Sequence, residues 1–320
     1  MRRLIVPMLL MLVVGFAARP AAAELPDAVK RYVDDATLLV GRIDATRFDS
    51  EAILAFLEEA AADQPEDQRQ EMMAEARQGL DQATQQLKPL VDAGVKDAYF
   101  IVGMGAMQGQ GPLFVVPATG AEQAAAVEAF AGGLGQSVKK LEDAILVGEP
   151  AVIQAAEMTQ AADRPQFGVA LGEPGDAMVQ LALVPTPMVK MFAAQGLRNL
   201  AQQQPDMPAG LAGAVEKLEL ISLTFAAPPT PRMHSEVKFA DAQTAQAMLE
   251  AGKASSKAMQ EQAAASGQDA AATAKVIEAM TPKLVGSSLV MELNKEQILA
   301  LIKAGMQEET EQAIPEAAGQ

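Results

Sequence analysis

The chain has no cysteine, no tryptophan and a single histidine in 320 residues. Without thiols there is no disulfide framework, no thiolate metal site and no cysteine nucleophile. Without tryptophan, and with two tyrosines and ten phenylalanines, the exposed aromatic platforms on which sugars stack are missing. A nucleophilic triad needs a base. The one candidate, His234, lies among Arg232, Glu236 and Lys238 on the outward side of a predicted strand, where it reads as a solvated imidazole. No G-x-S-x-G elbow, H-E-x-x-H helix or Walker loop occurs. Gly103-Met104-Gly105 follows a strand but precedes a second strand, which is the wrong context for a dinucleotide turn.

Two other residue classes remain as possible chemistry. The carboxylates Asp34-Asp35, Asp44 with Asp49, and Glu58-Glu59 have no calcium-loop spacing, and read as caps and solvated helix faces. Met104 with Met107, and Met188 with Met191, form two M-x-x-M pairs, and thioethers are soft ligands for Cu(I). Met104 finishing a strand and Met191 turned to the core account for them without a metal. The expectation is therefore no catalytic, cofactor-binding or metal residue, no cofactor, and no enzyme.

What is present points outside the cytoplasm. Residues 1–23 read as a secretory signal peptide: Arg2 and Arg3 precede an apolar run from Leu4 to Ala18, and Ala21 and Ala23 supply the small residues of a cleavage site. The expected location is periplasmic or secreted, with membrane contact only through the signal before cleavage. Losing Arg2, Arg3 and Arg19 takes the formal charge from -16 to -19. Such an acidic surface repels nucleic acid and favours solubility.

The mature chain is long enough for one or two cores, and it repeats a pattern. GPLFVVPATGAEQAAAVEAFAGG, at 111–133, and RMHSEVKFADAQTAQAMLEAG, at 232–252, align without a gap, placing Val116 on Val237 and Ala124 on Ala245. Both read strand, capped turn, Ala-rich helix, with Thr119 and Asp241 as the caps and Glu122 closing a capping box on Thr119. The apolar runs predict strands at 36–43, 98–102, 113–116, 144–147, 177–184, 218–225, 233–239 and 287–293. Asp49 or Ser50 caps a first helix that Pro65 breaks. A long amphipathic helix follows from 66, with Met72, Ala76, Leu80, Ala83 and Leu87 at helical spacing, until Pro89 ends or kinks it. Pro187 starts a helix in the second half, a proline-broken segment follows at 202–210, and Asn294 with Gln297 forms another capping box.

Each half thus reads β-α-β-β-α-β, and the predicted fold class is α+β: two tandem ferredoxin-like halves, each an antiparallel sheet with helices on one face, plus long amphipathic helices. The halves span 24–165 and 166–304. Within the second, 253–281 is an exposed helical insert, and 305–320 is an acidic disordered tail. Whether the two sheets join is left open. DATLLVGRIDATRF, GPLFVVPATGAEQAAAVEAF, GDAMVQLALVPTPMVKMF and LVMELNKEQI together resemble a group of exported bacterial proteins known only as domains of unknown function. The resemblance implies the duplicated split βαβ halves and the extracytoplasmic address, and no activity.

One asymmetry suggests a use. Around Arg232–Phe239 one strand face is polar, whereas 98–102 and 113–116 are apolar on both faces and must be covered on both, by the long helix at 66–88, by the second half or by a partner, with cover by the chain itself the plainer reading. The functional expectation is a non-enzymatic binding or scaffolding protein for an unknown protein partner, with Tyr99, Ile101, Phe114 and Val116 as the interaction surface. The alternative is a carrier of a small apolar ligand in a Met-lined cleft between the halves.

Overall fold

The computed structural model describes residues 24–118, 120–172, 175–203, 210–265 and 270–313. Residues 1–23, expected to be a signal peptide, Thr119, expected to be a cap, residues 204–209 of the proline-broken segment, residues 266–269 of the insert and residues 314–320 of the tail lie outside the described residues.

Ten strands form one sheet: β1 (Thr37–Asp44), β2 (Asp97–Gly103), β3 (Leu113–Pro117), β4 (Ser137–Lys140), β5 (Ala144–Gly148), β6 (Ala177–Leu183), β7 (Leu218–Ala226), β8 (Arg232–Phe239), β9 (Lys283–Val285) and β10 (Ser288–Leu293). Their order is β4-β5-β3-β2-β1-β6-β7-β8-β10-β9, and every neighbouring pair is antiparallel. Eleven α-helices accompany them among the described residues: α1 (Asp27–Lys30), α2 (Ser50–Ala60), α3 (Glu66–Asp92), α4 (Ala121–Gly133), α5 (Pro150–Glu157), α6 (Pro165–Leu171), α7 (Pro187–Gln203), α8 (Leu211–Glu216), α9 (Ala242–Ala265), α10 (Ala270–Ala279) and α11 (Lys295–Ala313).

The eight predicted strands are all present, but the ferredoxin-like arrangement is not. That fold would set the first and second strands of a half parallel with the third between them. Here β1 and β2 are direct antiparallel neighbours. The reason is the α2–α3 helical hairpin: one helix carries the chain back along the sheet and the second returns it, so β2 enters from the end where β1 left. A split βαβ unit occurs one step later, where β3 and β4, joined through α4, run parallel on either side of β5. β4 and β9 are short edge strands that the apolar pattern does not announce, because β4 is SVKK and β9 is KLV. The centre of the sheet is the β1–β6 pairing, Leu39 opposite Leu183 through Ile43 opposite Val179. It joins the two halves into one sheet.

Local signals account for many of the element ends. Asp49 accepts from the Ala52 N–H at 3.0 Å to cap α2. Asn294 and Gln297 exchange side chain-to-backbone bonds of 2.9 and 3.0 Å at the start of α11. At α4 Gln123 accepts from the Gly120 N–H at 3.2 Å. Pro89 does not end α3, which continues to Asp92. Within the 253–281 insert, residues 253–265 and 270–279 are helical, but its C-terminal end is not all exposed: Ile277 is buried, and Met280 packs on the core over β8 and β10. α11 runs ten residues past the predicted end at 303.

Asp241 caps α9, accepting from the Thr244 N–H at 2.7 Å. That bond, then the Lys217 ammonium, hold its carboxyl at about 2, below the ordinary 3.8. A depressed folded value stabilises the fold above pH 3.8 and is lost as pH falls through about 2. Asp241→Asn keeps a capping oxygen and removes the charge. Its melting temperature should lie below wild type at neutral pH, and the gap should close as acid passes through that window. A gap independent of pH would show that the charge contributes nothing.

Both faces of the sheet carry helices, which corrects the expectation of one covered face. On one face Val40, Tyr99, Ile101, Val115 and Leu146 pack under α1, α5 and α6. On the other, Phe114, Val116, Ile145 and Val147 pack under the end of α3 and under α4, and Leu289, Met291 and Leu293 under α8 to α11. In the middle of this second face Gly41 lies beneath the Phe100 ring. A Cβ there would come within 2.1 Å of it, so glycine admits the ring, which in turn meets Phe114 at 6.2 Å. Across the centre α2 and α11 meet through Phe56, Ala60 and Leu299, with Lys295 on Glu59 and Lys303 on Asp63, each at 2.6 Å.

Candidate functional site

The four residues expected to form an interaction surface do not form one. Tyr99 and Ile101 are each 6% exposed on one face of the sheet, and Val116 is 6% exposed on the other, beside a half-buried Phe114. Strand alternation separates the two pairs, and the chain's own helices cover both. The polar face of β8 is also less wet than its sequence suggests: Glu236 is buried and accepts from the Ser288 hydroxyl at 2.7 Å, and His234 is half-buried.

The acids fall into structural roles. Asp44, 1% exposed, caps the short helical turn after β1 by accepting from the Thr46 N–H at 3.0 Å. It also faces the buried Arg42 at 3.7 Å. Arg42 donates to Asp97 at 2.5 Å on β2 and to Gln180 at 3.1 Å on β6, so a single guanidinium ties three strands across the centre of the sheet. Burial, then the Asp97 carboxylate, push the neighbouring Tyr99 phenol above its ordinary value.

The methionine pairs are brought to one end of the sheet, where Met104 Sδ lies 3.8 Å from the Thr186 hydroxyl. Met191 does not face the core: it is 56% exposed, with Met188 and Phe192 exposed beside it. Among the described residues no group of three His, Cys, Asp or Glu side chains is placed to hold a metal ion.

At the same end of the sheet an open cleft of about 690 Å³ lies against the boundary between the halves. Its parts come from far apart in the chain: Asp35 before β1, α6, the β6–α7 turn, and Glu219, Leu220 and Lys238 on β7 and β8. α6 is held in place by Phe167, which is fully buried, with Leu171 3% exposed behind it. Arg164, at its start, donates to the Asp34 and Asp35 carbonyls at 3.0 and 3.3 Å and to the Val184 carbonyl at 3.2 Å, with its guanidinium 5.1 Å over the Phe167 ring. It thereby clamps the entry to β1, the exit of β6 and α6 together. Burial draws its guanidinium below the ordinary arginine value, with Asp35 and then Asp34 pulling the other way, and it remains charged at neutral pH. On the far wall Pro187 opens α7, as its sequence position predicts, and the Thr186 hydroxyl accepts from the Val189 N–H at 3.4 Å.

The lining is largely apolar, with Pro165, Val169, Val184, Pro185, Pro187 and Leu220, and no methionine, contrary to the Met-lined cleft expected. Three cations reach it. Arg164 is spent on carbonyls, and Lys238 pairs with Glu219 at 3.2 Å. Lys190, half-buried on α7, has no ion-pair partner among the described residues. Sequence reasoning passed over this site: 163–165 reads as a break between halves, and Lys238 as part of a solvated face. The available signals were Pro165 and Pro187, each preceding a short apolar helical run. No family model, no curated protein and no solved structure matches this chain.

Proposed function

We propose that this chain is an exported, non-enzymatic binding protein, and that it holds a small, largely apolar ligand in the cleft beside α6 and α7. The observation that carries this is the cleft itself. Its volume of about 690 Å³ falls in the range of small-molecule sites, which are apolar with a few polar anchors. The Thr186 hydroxyl is committed to capping α7, and the two acids on the rim, Asp35 and Glu219, lie beside cations. The proposal includes an internal duplication. Read outward from the central pair, the order is β1-β2-β3-β5-β4 on one side and β6-β7-β8-β10-β9 on the other, and Val116 and Val237, which align in sequence, both lie on the third strand. The cleft would then sit at the join of two related units.

A second reading has its own support. Met188, Met191 and Phe192 are each more than half exposed on α7, whereas α2, which holds the corresponding place after β1, is packed on α11. A macromolecular partner covering α7 would explain that ridge.

Native mass spectrometry of the chain purified from its own host separates the two. A bound mass of a few hundred daltons, absent from Val169→Trp, is expected if the cleft is the site. A bare chain that instead retains a protein partner, lost in Phe192→Asp, would move the function to α7.

A further inference from the structure

Resting on the cleft as the ligand site, we infer that its ligand is a single-headed amphiphile, an alkyl chain ending in one carboxylate, with Lys190 as the residue that receives the head.

The tail follows from the lining. Six of the thirteen lining residues are apolar, three of them prolines with no side-chain polarity to satisfy. The head follows from charge accounting on the same surface. Three N–H groups of the Arg164 guanidinium are turned into the protein, donating to backbone carbonyls, and the Asp35 carboxylate offsets its charge. Lys238 is shared with Glu219. Lys190 alone is an uncompensated cation on this wall, and it is half-buried, so a carboxylate beside it is shielded from water and screened less than at an open surface. Asp35 and Glu219 on the rim set the limit at one negative charge, since a dianion such as a phosphate monoester would meet them as well as the lysine. A cationic head would be repelled by Lys190, while Asp35 already lies near Arg164 and Glu219 pairs with Lys238. An uncharged head could hydrogen-bond Gln166 or Lys190 but would leave the lysine charge unpaired.

The test keeps the tail constant and varies the head. Decanoate, 1-decanol and decylammonium are titrated calorimetrically into the purified chain after passage over a hydrophobic resin to strip co-purified lipid. The same is done with Lys190→Met, which keeps the length of the side chain and removes its charge, and with Val169→Trp, which fills the cleft. Decanoate is expected to bind tightest, to lose about tenfold in Lys190→Met, as expected for one charge-assisted hydrogen bond, and to lose all measurable binding in Val169→Trp. Decanol should change less than threefold on removing the lysine charge. Equal affinity for decanoate and decanol in wild type, or decylammonium binding as tightly as decanoate, overturns the carboxylate assignment while leaving the cleft as an apolar site. If none of the three binds wild type, the cleft is not the ligand site, and this inference falls with it. Circular dichroism melts of both variants establish that loss of binding is not loss of fold.

Discussion

Phe167→Ala is expected to lower the unfolding free energy by about 3–5 kcal/mol, the range for truncating a fully buried aromatic. Phe167 is the largest completely buried side chain among the described residues. It anchors α6, a helix of seven residues that is too short to persist without tertiary contacts. Its ring also carries the Arg164 guanidinium at 5.1 Å, a contact worth about 0.5–2 kcal/mol depending on burial. Loss of the ring therefore leaves a cavity and frees the residue that clamps β1, β6 and α6. Urea denaturation measures the stability change. Hydrogen exchange should show the α6 amides opening far more often than those of β1 and β6. Phe167→Leu should retain most of the stability, because volume-conserving replacements usually cost less than about 1.5 kcal/mol. An alanine variant within about 1 kcal/mol of wild type would mean that α6 is held by other contacts, and that the cleft wall does not depend on this side chain.

Arg42→Met is expected to cost a similar amount, about 3–5 kcal/mol, by a different route. The cavity is small, because methionine fills much of the space. What is lost is a partner of buried charge: Asp44 at 1% exposure keeps only the half-exposed Arg47, at 3.6 Å, as a cation beside it, and Asp97 loses its 2.5 Å bond. Gln180 on β6 loses its donor as well. A well-packed apolar replacement of the whole cluster could be neutral, but removing one member strands the others. A surface pair gives the contrast. Arg31 and Asp143 are bonded but both about two-fifths exposed, and Arg31→Ala should cost no more than about 1 kcal/mol. The pair of measurements separates burial from mere charge pairing. If Arg42→Met and Arg31→Ala cost the same, the central cluster does not hold the halves together.

These two expectations concern features with very different visibility in the amino-acid order. Arg42 sits in an otherwise apolar strand, TLLVGRID, so a buried charge is legible there, but its partners are not. Asp97 is 55 residues away and Gln180 is 138 residues away, and they meet Arg42 only through strand pairings on both edges of β1. Phe167 follows a proline in a short stretch that reads as a break between halves, and nothing local says that this stretch folds back over the sheet.

Taken alone, the sequence determined what depends on neighbours along the chain. Period-two and period-3.6 patterns placed all eight long strands and the main helices, because a side chain's direction relative to its own backbone is set by local geometry. Asp49, Asp241, Asn294 and Gln297 were legible as caps, since the groups they satisfy lie within three residues. The absence of cysteine, and the poverty in histidine and aromatics, set the available side-chain chemistry. Tertiary structure alone decided which strand edges pair, because both edges of a strand present the same N–H and C=O groups whatever the side chains are. Hence the β1–β6 join and the antiparallel order in place of a ferredoxin-like one. It also decided what covers an apolar face. Tyr99 and Ile101 carry the pattern of a docking surface, and α1, α5 and α6 turn that face into core. The cleft belongs wholly to this second class: residues between Asp35 and Lys238 converge on it, and only the packing of α6 and α7 at one end of the sheet makes them neighbours.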